Sequence, residues 1–180
     1  MFKKWKRLSS RYRLKSRWIT IRQDRVKTPE GHVIPDYYVR EGKDIVTVLA
    51  VTNEDKIIVV RQYKYGADKV ILELPTGFID EKSPLAAARR ELLEETGYKA
   101  SHWRKLATVL TDPTSSAMKR HVYLAENARK VSEPVQFPNE RTKAVLLSKT
   151  QFLAGLKKGT FKSQATYAAA ALVIVRGGIF

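Results

Sequence analysis

The chain has 180 residues, 43% hydrophobic and 29% charged, enough for one packed domain or one domain plus a short appended element. It has no cysteine, which excludes a disulfide framework and a thiolate zinc site, and its three histidines (His32, His102, His121) are scattered, so any metal must be held by oxygen. The net charge of +16 is uneven: residues 1–23 carry nine Lys or Arg and no acid, which reads either as a solvated arm or as an attractor of phosphates, nucleic acid or acidic lipid.

Lys and Arg interrupt the N-terminus before any apolar stretch, against a secretory signal, while the Arg-rich, acid-poor composition leaves an organelle transit peptide open. The longest apolar run, Ala168–Val175, is too short to span a bilayer. The expectation is a cytoplasmic protein that does not engage a membrane.

In chain order, residues 1–16 read as a basic arm, with a short helix as an option. Trp18 to Val26 favours strand through its β-branched and aromatic residues. Pro29-Glu30-Gly31 is a turn, and Val33 to Val39 returns as a second strand, closing an N-terminal hairpin within residues 17–42. Asp44 to Val51 and Lys56 to Gln62 form another hairpin across Asn53-Glu54-Asp55. Ile71 to Leu74 is short and apolar and is broken by Pro75-Thr76-Gly77. Ser83 to Thr96 reads as a helix, with Ser83 as N-cap, Pro84 at the first position and Gly97 as the stop. Lys105–Leu110, Arg120–Leu124 and Val145–Leu147 read as strands, and Thr150–Lys157 and Gln164–Val175 as helices. Strands around an early helix, followed by a helical C-terminus, predict α/β or α+β layers.

The chemistry-bearing segment is Arg90-Glu91-Leu92-Leu93-Glu94-Glu95-Thr96-Gly97-Tyr98. Glu91, Glu94 and Glu95 fall at i, i+3 and i+4 and share one helical face. Three like charges there repel, and a hard cation such as Mg²⁺ relieves the repulsion. Taken alone, the ordinary explanation is a solvated acidic face with basic partners.

The context changes that balance. Gly77-Phe78-Ile79-Asp80 precedes the helix and Gly97 closes it, and the whole closely resembles the Nudix box, G-x5-E-x7-R-E-U-x-E-E-x-G-U, with U apolar. Gly77, Arg90, Glu91, Leu92, Glu94, Glu95 and Gly97 match. The stretch from Gly77 to Arg90 is one residue short, so the early glutamate is out of register; either Glu81 stands in for it or Lys82 and Ser83 occupy the site. Val59-Val60-Arg61-Gln62-Tyr63-Lys64-Tyr65, Leu72-Glu73-Leu74-Pro75-Thr76-Gly77, and Pro113 fifteen residues past Tyr98 resemble the ADP-ribose pyrophosphatase or nucleoside-diphosphate-sugar hydrolase branch.

The resemblance covers roughly residues 17–175. It implies an α/β fold, an α/β/α sandwich with a mixed sheet, over residues 43–180, preceded by a small N-terminal β-hairpin that is exchanged across a homodimer. It implies Mg²⁺, with Mn²⁺ as an alternative, held by Glu91, Glu95 and Glu94 with the Thr76 backbone carbonyl. It implies a general base on the loop Glu133–Arg141, with Glu140 first and Glu133 in reserve. Arg61 corresponds to a phosphate contact, Glu73 to a metal or substrate helper, Trp18, Tyr37 and Tyr38 to nucleobase-stacking aromatics, and Pro113 to a shaper of the sugar pocket. Arg90 is expected to anchor the loop by ion pairing. The implied activity is hydrolysis of nucleotide sugars such as ADP-ribose or GDP-mannose. The rivals are hydrolysis of RNA 5′ ends or dinucleoside polyphosphates, and a non-catalytic module that binds nucleic acid through the basic arm.

Overall fold

The computed structural model describes residues 2–176 and 178–179. It divides into two units: the residues up to Asp44 together with Leu110–Lys119, and Ile45–Val109 together with the residues from Arg120 onward.

The first unit is a three-stranded antiparallel sheet of β1 (Lys6–Lys15), β2 (Thr20–Lys27) and β3 (Val33–Glu41), in that order. The expected basic arm is thus largely strand, with Lys6 opposite Lys27 and Lys15 opposite Thr20. Every residue of β1 is exposed. What holds it is the backbone ladder plus polar pairs rather than apolar burial: Ser10 donates to Asp24, Arg11 Nε donates to Gln23 at 3.1 Å, and Arg13 donates to the same amide. The β1–β2 turn is tied by the Ser16 hydroxyl, which accepts from the backbone N–H of Trp18 and Ile19 at 3.2 and 3.1 Å. The 110–119 segment is stitched to β3, with the Arg40 N–H donating to Ser115 O at 2.8 Å and the Tyr37 hydroxyl to Thr114 O.

The second unit is a mixed sheet. Its main path is β11 (Thr142–Ser148), β5 (Lys56–Lys64), β4 (Ile45–Thr52), β10 (Lys119–Lys130), β8 (Tyr98–Lys99). Onto it pair β6 (Lys69–Glu73, with β5), β7 (Thr76–Phe78, with β4) and β9 (His102–Leu110, with β10). The β4–β10 pair is parallel. Both faces of the central strands are buried, which is why they read as continuous apolar runs. Leu49, Val51, Ile57, Val59, Val122 and Leu124 point to one core, closed by Phe152 of α2 (Lys149–Lys157) and Ala169, Ala170 and Val173 of α3 (Gln164–Val175). Val46, Val48, Ala50, Ile58 and Tyr123 point to the other, against Ala87, Ala88 and Leu92 of α1 (Pro84–Thr96). This is the α/β/α sandwich expected. Phe152 and Phe161 pack at 4.9 Å between ring centroids, and truncating either would cost about 3–5 kcal/mol.

Helix α1 begins as the sequence suggests, with Pro84 at its first position and Ser83 extended at the cap. The Ser83 hydroxyl, however, makes no capping bond; the first turn is closed by its carbonyl, which accepts from the Ala87 N–H at 3.2 Å. Gly97 ends the helix in the left-handed region at φ 77°, where a side chain would also strike Ser132 O at 2.0 Å. Pro75-Thr76-Gly77, expected only to break a strand, instead leads into β7, whose Gly77 lies opposite Val46. Among the described residues no helix is long and apolar enough to cross a membrane.

Candidate active site

Three pieces of chain meet around the middle and C-terminal turns of α1. The strand β7 runs beside β4 and sets Thr76 and Gly77 against the helix. The loop after β10 returns over the end of α1, where the Val131 and Ser132 N–H groups donate to Gly97 O at 2.9 and 3.2 Å and the Val135 N–H donates to Glu94 O at 2.8 Å. At its far end the Thr142 hydroxyl donates to Glu95 O at 2.9 Å. Between these anchors Phe137 and Glu140 exchange a pair of 3.1 Å backbone hydrogen bonds, which presents Glu140 at the tip.

Glu91 and Glu95 are buried, at 8% and 4% exposure. Glu95 Oε2 accepts from the Thr76 N–H at 3.0 Å. Its Oε1 is the one buried side-chain polar atom without a partner among the described residues. Glu91 presses so closely on the strand that a Cβ on residue 77 would stand 1.9 Å from Glu91 Oε1, so any side chain there would push the Glu91 carboxyl aside. Burial pushes the Glu91 carboxyl up to about 7, opposed by Arg90 and reinforced by the charges of Glu94 and Glu140. Glu95 is held well above the usual carboxylate range by burial and by Glu91, with Glu140 adding and the Thr76 N–H and Lys64 opposing. The loop carboxylate Glu140 thus shares one field with both helix carboxylates.

Arg90 is the anchor expected of it. It donates to Glu81 through Nε, to Glu94 at 2.8 Å and to Phe78 O at 3.0 Å, and lies 2.9 Å from Glu91. Glu81, out of register in the sequence pattern, is therefore the glutamate that pairs with this arginine. Glu94 is turned to Arg90 rather than toward Glu91 and Glu95, and among the described residues no three His, Cys, Asp or Glu side chains already converge as a metal cage.

Strand alternation puts Gln62, Lys64 and Glu73 on the α1 side. Gln62 Nε2 donates to Glu73 Oε1 at 2.9 Å, and Lys64 Nζ lies 3.0 Å from the same oxygen. Lys64 was not among the expected site residues; its period-two relation to Gln62 was the available signal. Arg61 alternates to the other side, where it lines an open cleft of about 420 Å³ with Lys69, Thr160 and Lys162. The structure does not bring it together with the carboxylates. Glu133, the reserve base, pairs with Lys130.

Trp18, Tyr37, Tyr38 and Pro113 belong to the first unit. Trp18 is exposed in the β1–β2 turn under the Arg17 guanidinium, 4.5 Å from its ring. Tyr37 meets Trp5 edge-to-face at 5.9 Å. Tyr38 is half exposed on the opposite face of β3, and Pro113 sits in the turn whose carbonyl Asp112 O accepts from Ser115 and Ser116 at 3.2 and 2.8 Å.

Comparison with known proteins agrees with this architecture. The NUDIX domain family model matches residues 42–170, and that of the nucleoside diphosphate sugar hydrolase N-terminal domain matches residues 5–39. The chain is 35% identical over 115 residues to the methanol dehydrogenase activator of Bacillus methanolicus, covering 63% of this chain and 62% of that one. It is 40% identical over 89 residues to the ADP-ribose pyrophosphatase of Bacillus subtilis (strain 168), covering 49% and 48%. Each match spans less than two thirds of the relative's own length. A crystal structure of an ADP compounds hydrolase shares the fold, with a TM-score of 0.86 over 98% of both chains at 21% identity.

Proposed function

The chain belongs to the Nudix family, and from that premise we propose that it hydrolyses the diphosphate linkage of nucleoside-diphosphate sugars, ADP-ribose or GDP-mannose among them, to a nucleoside monophosphate and a sugar phosphate. The observation that carries the reading is the buried pair Glu91 and Glu95, one helical turn apart on α1, with one Glu95 oxygen left unpartnered. Buried charge without a partner is costly, and a divalent ion is the group whose arrival makes the arrangement favourable. The donor set fits Mg²⁺, with Mn²⁺ as the alternative: Glu91 and Glu95, the Thr76 carbonyl, and Glu94 directly or through water. When bound, the ion would neutralise charge on the diphosphate and lower the pKa of a coordinated water.

The chain's own residues do the rest. Arg90 fixes the loop from Phe78 to Glu81 onto α1, so Gly77 and Thr76 stay packed against the carboxylates. Glu140, exposed at the tip of its loop, takes the proton from the attacking water as general base. Lys64 holds Glu73 in place and lends positive charge to the diphosphate side. We place Trp18, Tyr37 and Tyr38 at the nucleobase, where stacking contributes about 1–3 kcal/mol per base, and Pro113 at the sugar. Exchange of the N-terminal element in a homodimer and a cytoplasmic location belong to the same reading. Arg61 contacts phosphate in this reading, from the cleft it lines on the other side of β5.

The experiment is a substrate panel with Mg²⁺: ADP-ribose, GDP-mannose, UDP-glucose, diadenosine polyphosphates, dGTP and 5′-triphosphorylated RNA, with products resolved by chromatography. Monophosphates from the sugar nucleotides are expected. Turnover of RNA ends or dinucleoside polyphosphates alone moves the assignment to those substrates, and silence throughout favours a binding module.

A further inference from the structure

A second cleft lies elsewhere in the second unit. Residues of the β4–β5 turn, β8 and the end of β10 line a shallow, open cleft of about 590 Å³, among them Asn53, Lys99, Ser101, Asn127 and Arg129, all exposed. It shares no residue with the carboxylate site.

The chemistry of the lining is one-sided. Lys99 and Arg129 are direct cross-strand partners of the antiparallel β8–β10 pair, and like charges placed directly opposite destabilise a sheet. Among the described residues neither has a carboxylate partner. Of the neighbouring acids, Asp55 pairs with Lys149 at 2.9 Å and Glu133 with Lys130, while Glu54 and Glu126 flank the cleft in sequence without pairing to either cation. The Asn53 amide lies against one edge of the Arg129 guanidinium; with its oxygen turned to that edge, the orientation that satisfies both groups, it accepts from Nε at 2.7 Å and Nη2 at 3.2 Å. That leaves the Asn53 NH₂ as a further donor on the wall. The Ser101 hydroxyl is turned to His102 Nδ1 at 3.0 Å.

The backbone departs from the regular ladder beside the cleft. The β10 ladder breaks between Ala125 and Ala128, and Asn127 in the gap has φ 55°, a left-handed conformation that asparagine adopts more readily than other side chains. Bulges of this kind re-aim side chains at functional sites. Asn127 Nδ2 lies 3.0 Å from His102 Nδ1, which ties the bulge to β9.

We propose that this cleft is a binding site for a phosphate monoester of a small molecule, held by the facing cations Lys99 and Arg129, with Asn53 positioning the guanidinium. A dianionic phosphate turns the cross-strand repulsion into a pair of charge-assisted hydrogen bonds, and the remaining volume takes the organic part. The proposal does not depend on the hydrolase reading, since it concerns binding alone.

The test is calorimetric titration of the full chain with ribose 5-phosphate, AMP and inorganic phosphate. Chelator is present throughout, so that no divalent ion draws phosphate to the α1 carboxylates. Saturable binding of one of the two esters is expected, tighter than inorganic phosphate. It should weaken about tenfold or more in Lys99→Gln/Arg129→Gln, by loss of the charged donors, and stay within about twofold in Glu91→Gln/Glu95→Gln. Both replaced cations are exposed, and a single Lys99→Gln repeats the test should the double variant melt early. Absence of binding for both esters, equal binding of inorganic phosphate, or a double variant that binds like the parent would overturn it.

Discussion

Asp24 in the first unit and Glu95 in the second are equally hidden, each at 4% exposure, yet their surroundings act in opposite directions. Asp24 receives two 2.9 Å hydrogen bonds from the Arg22 guanidinium and another from Ser10. The bonds to Arg22, then the one from Ser10, hold its carboxyl below the usual range against the effect of burial. Glu95 has one backbone donor, a neighbouring carboxylate and an orphan oxygen. The first is a charge completed by the chain. The second is a charge the chain leaves incomplete, and such incompletion marks candidate functional sites.

The comparison can be broken in several places. The largest effect is on turnover: Glu140→Gln should lower kcat about 10²-fold or more, as loss of a general base does, with no change in melting temperature. An active variant would remove Glu140 from the chemistry. Next is a pair of stability measurements with opposite signs. Asp24→Asn should destabilise by about 2 kcal/mol, the scale of a lost charged hydrogen bond, whereas Glu95→Gln should raise the melting temperature of the metal-free protein. Equal signs would mean that both carboxylates are structural.

A pH titration sharpens the same contrast. Glu91 rises from 4.5 to about 7 on folding, so between those values the metal-free folded state binds more protons than the unfolded chain. Metal-free stability should therefore fall as pH rises from about 4.5 to about 7. Asp24, depressed below 3.8, contributes stability that is present above that value and lost as pH falls further. Saturating Mg²⁺ should flatten the upper slope, because the ion binds the deprotonated carboxylates; thermal melts across pH with and without Mg²⁺ read both. The smallest effect is at the helix start. Ser83→Ala should change stability by less than about 0.5 kcal/mol, since the cap hydroxyl is unused, while Ser148→Ala, which opens a complete capping box at α2, should cost about 1 kcal/mol.

Helix α1 and its glutamates were legible because they obey local rules: a 3.6-residue spacing, Pro84 at the start and Gly97 at the stop. The central strands were legible as apolar runs. Strand β1 was not, because its stability comes from polar pairs with Gln23 and Asp24 that only the register of the sheet brings together. The spacing between Gly77 and Arg90 left the role of Glu81 open; the fold decides it through the Glu81–Arg90 bond. Arg61 and Lys64 lie three residues apart in one basic stretch, and only strand alternation sends them to different faces. The bulge at Asn127 hid in a segment whose polar residues gave no strand signal beyond Leu124.

The most direct measurement of the central claim, that the incomplete pair Glu91 and Glu95 is the catalytic centre, is ADP-ribose hydrolysis with Mg²⁺ by the parent chain and by Glu95→Gln. The account predicts AMP and ribose 5-phosphate from the parent and a loss of about 10²-fold or more in the folded variant. Turnover by Glu95→Gln at the parent rate would contradict it.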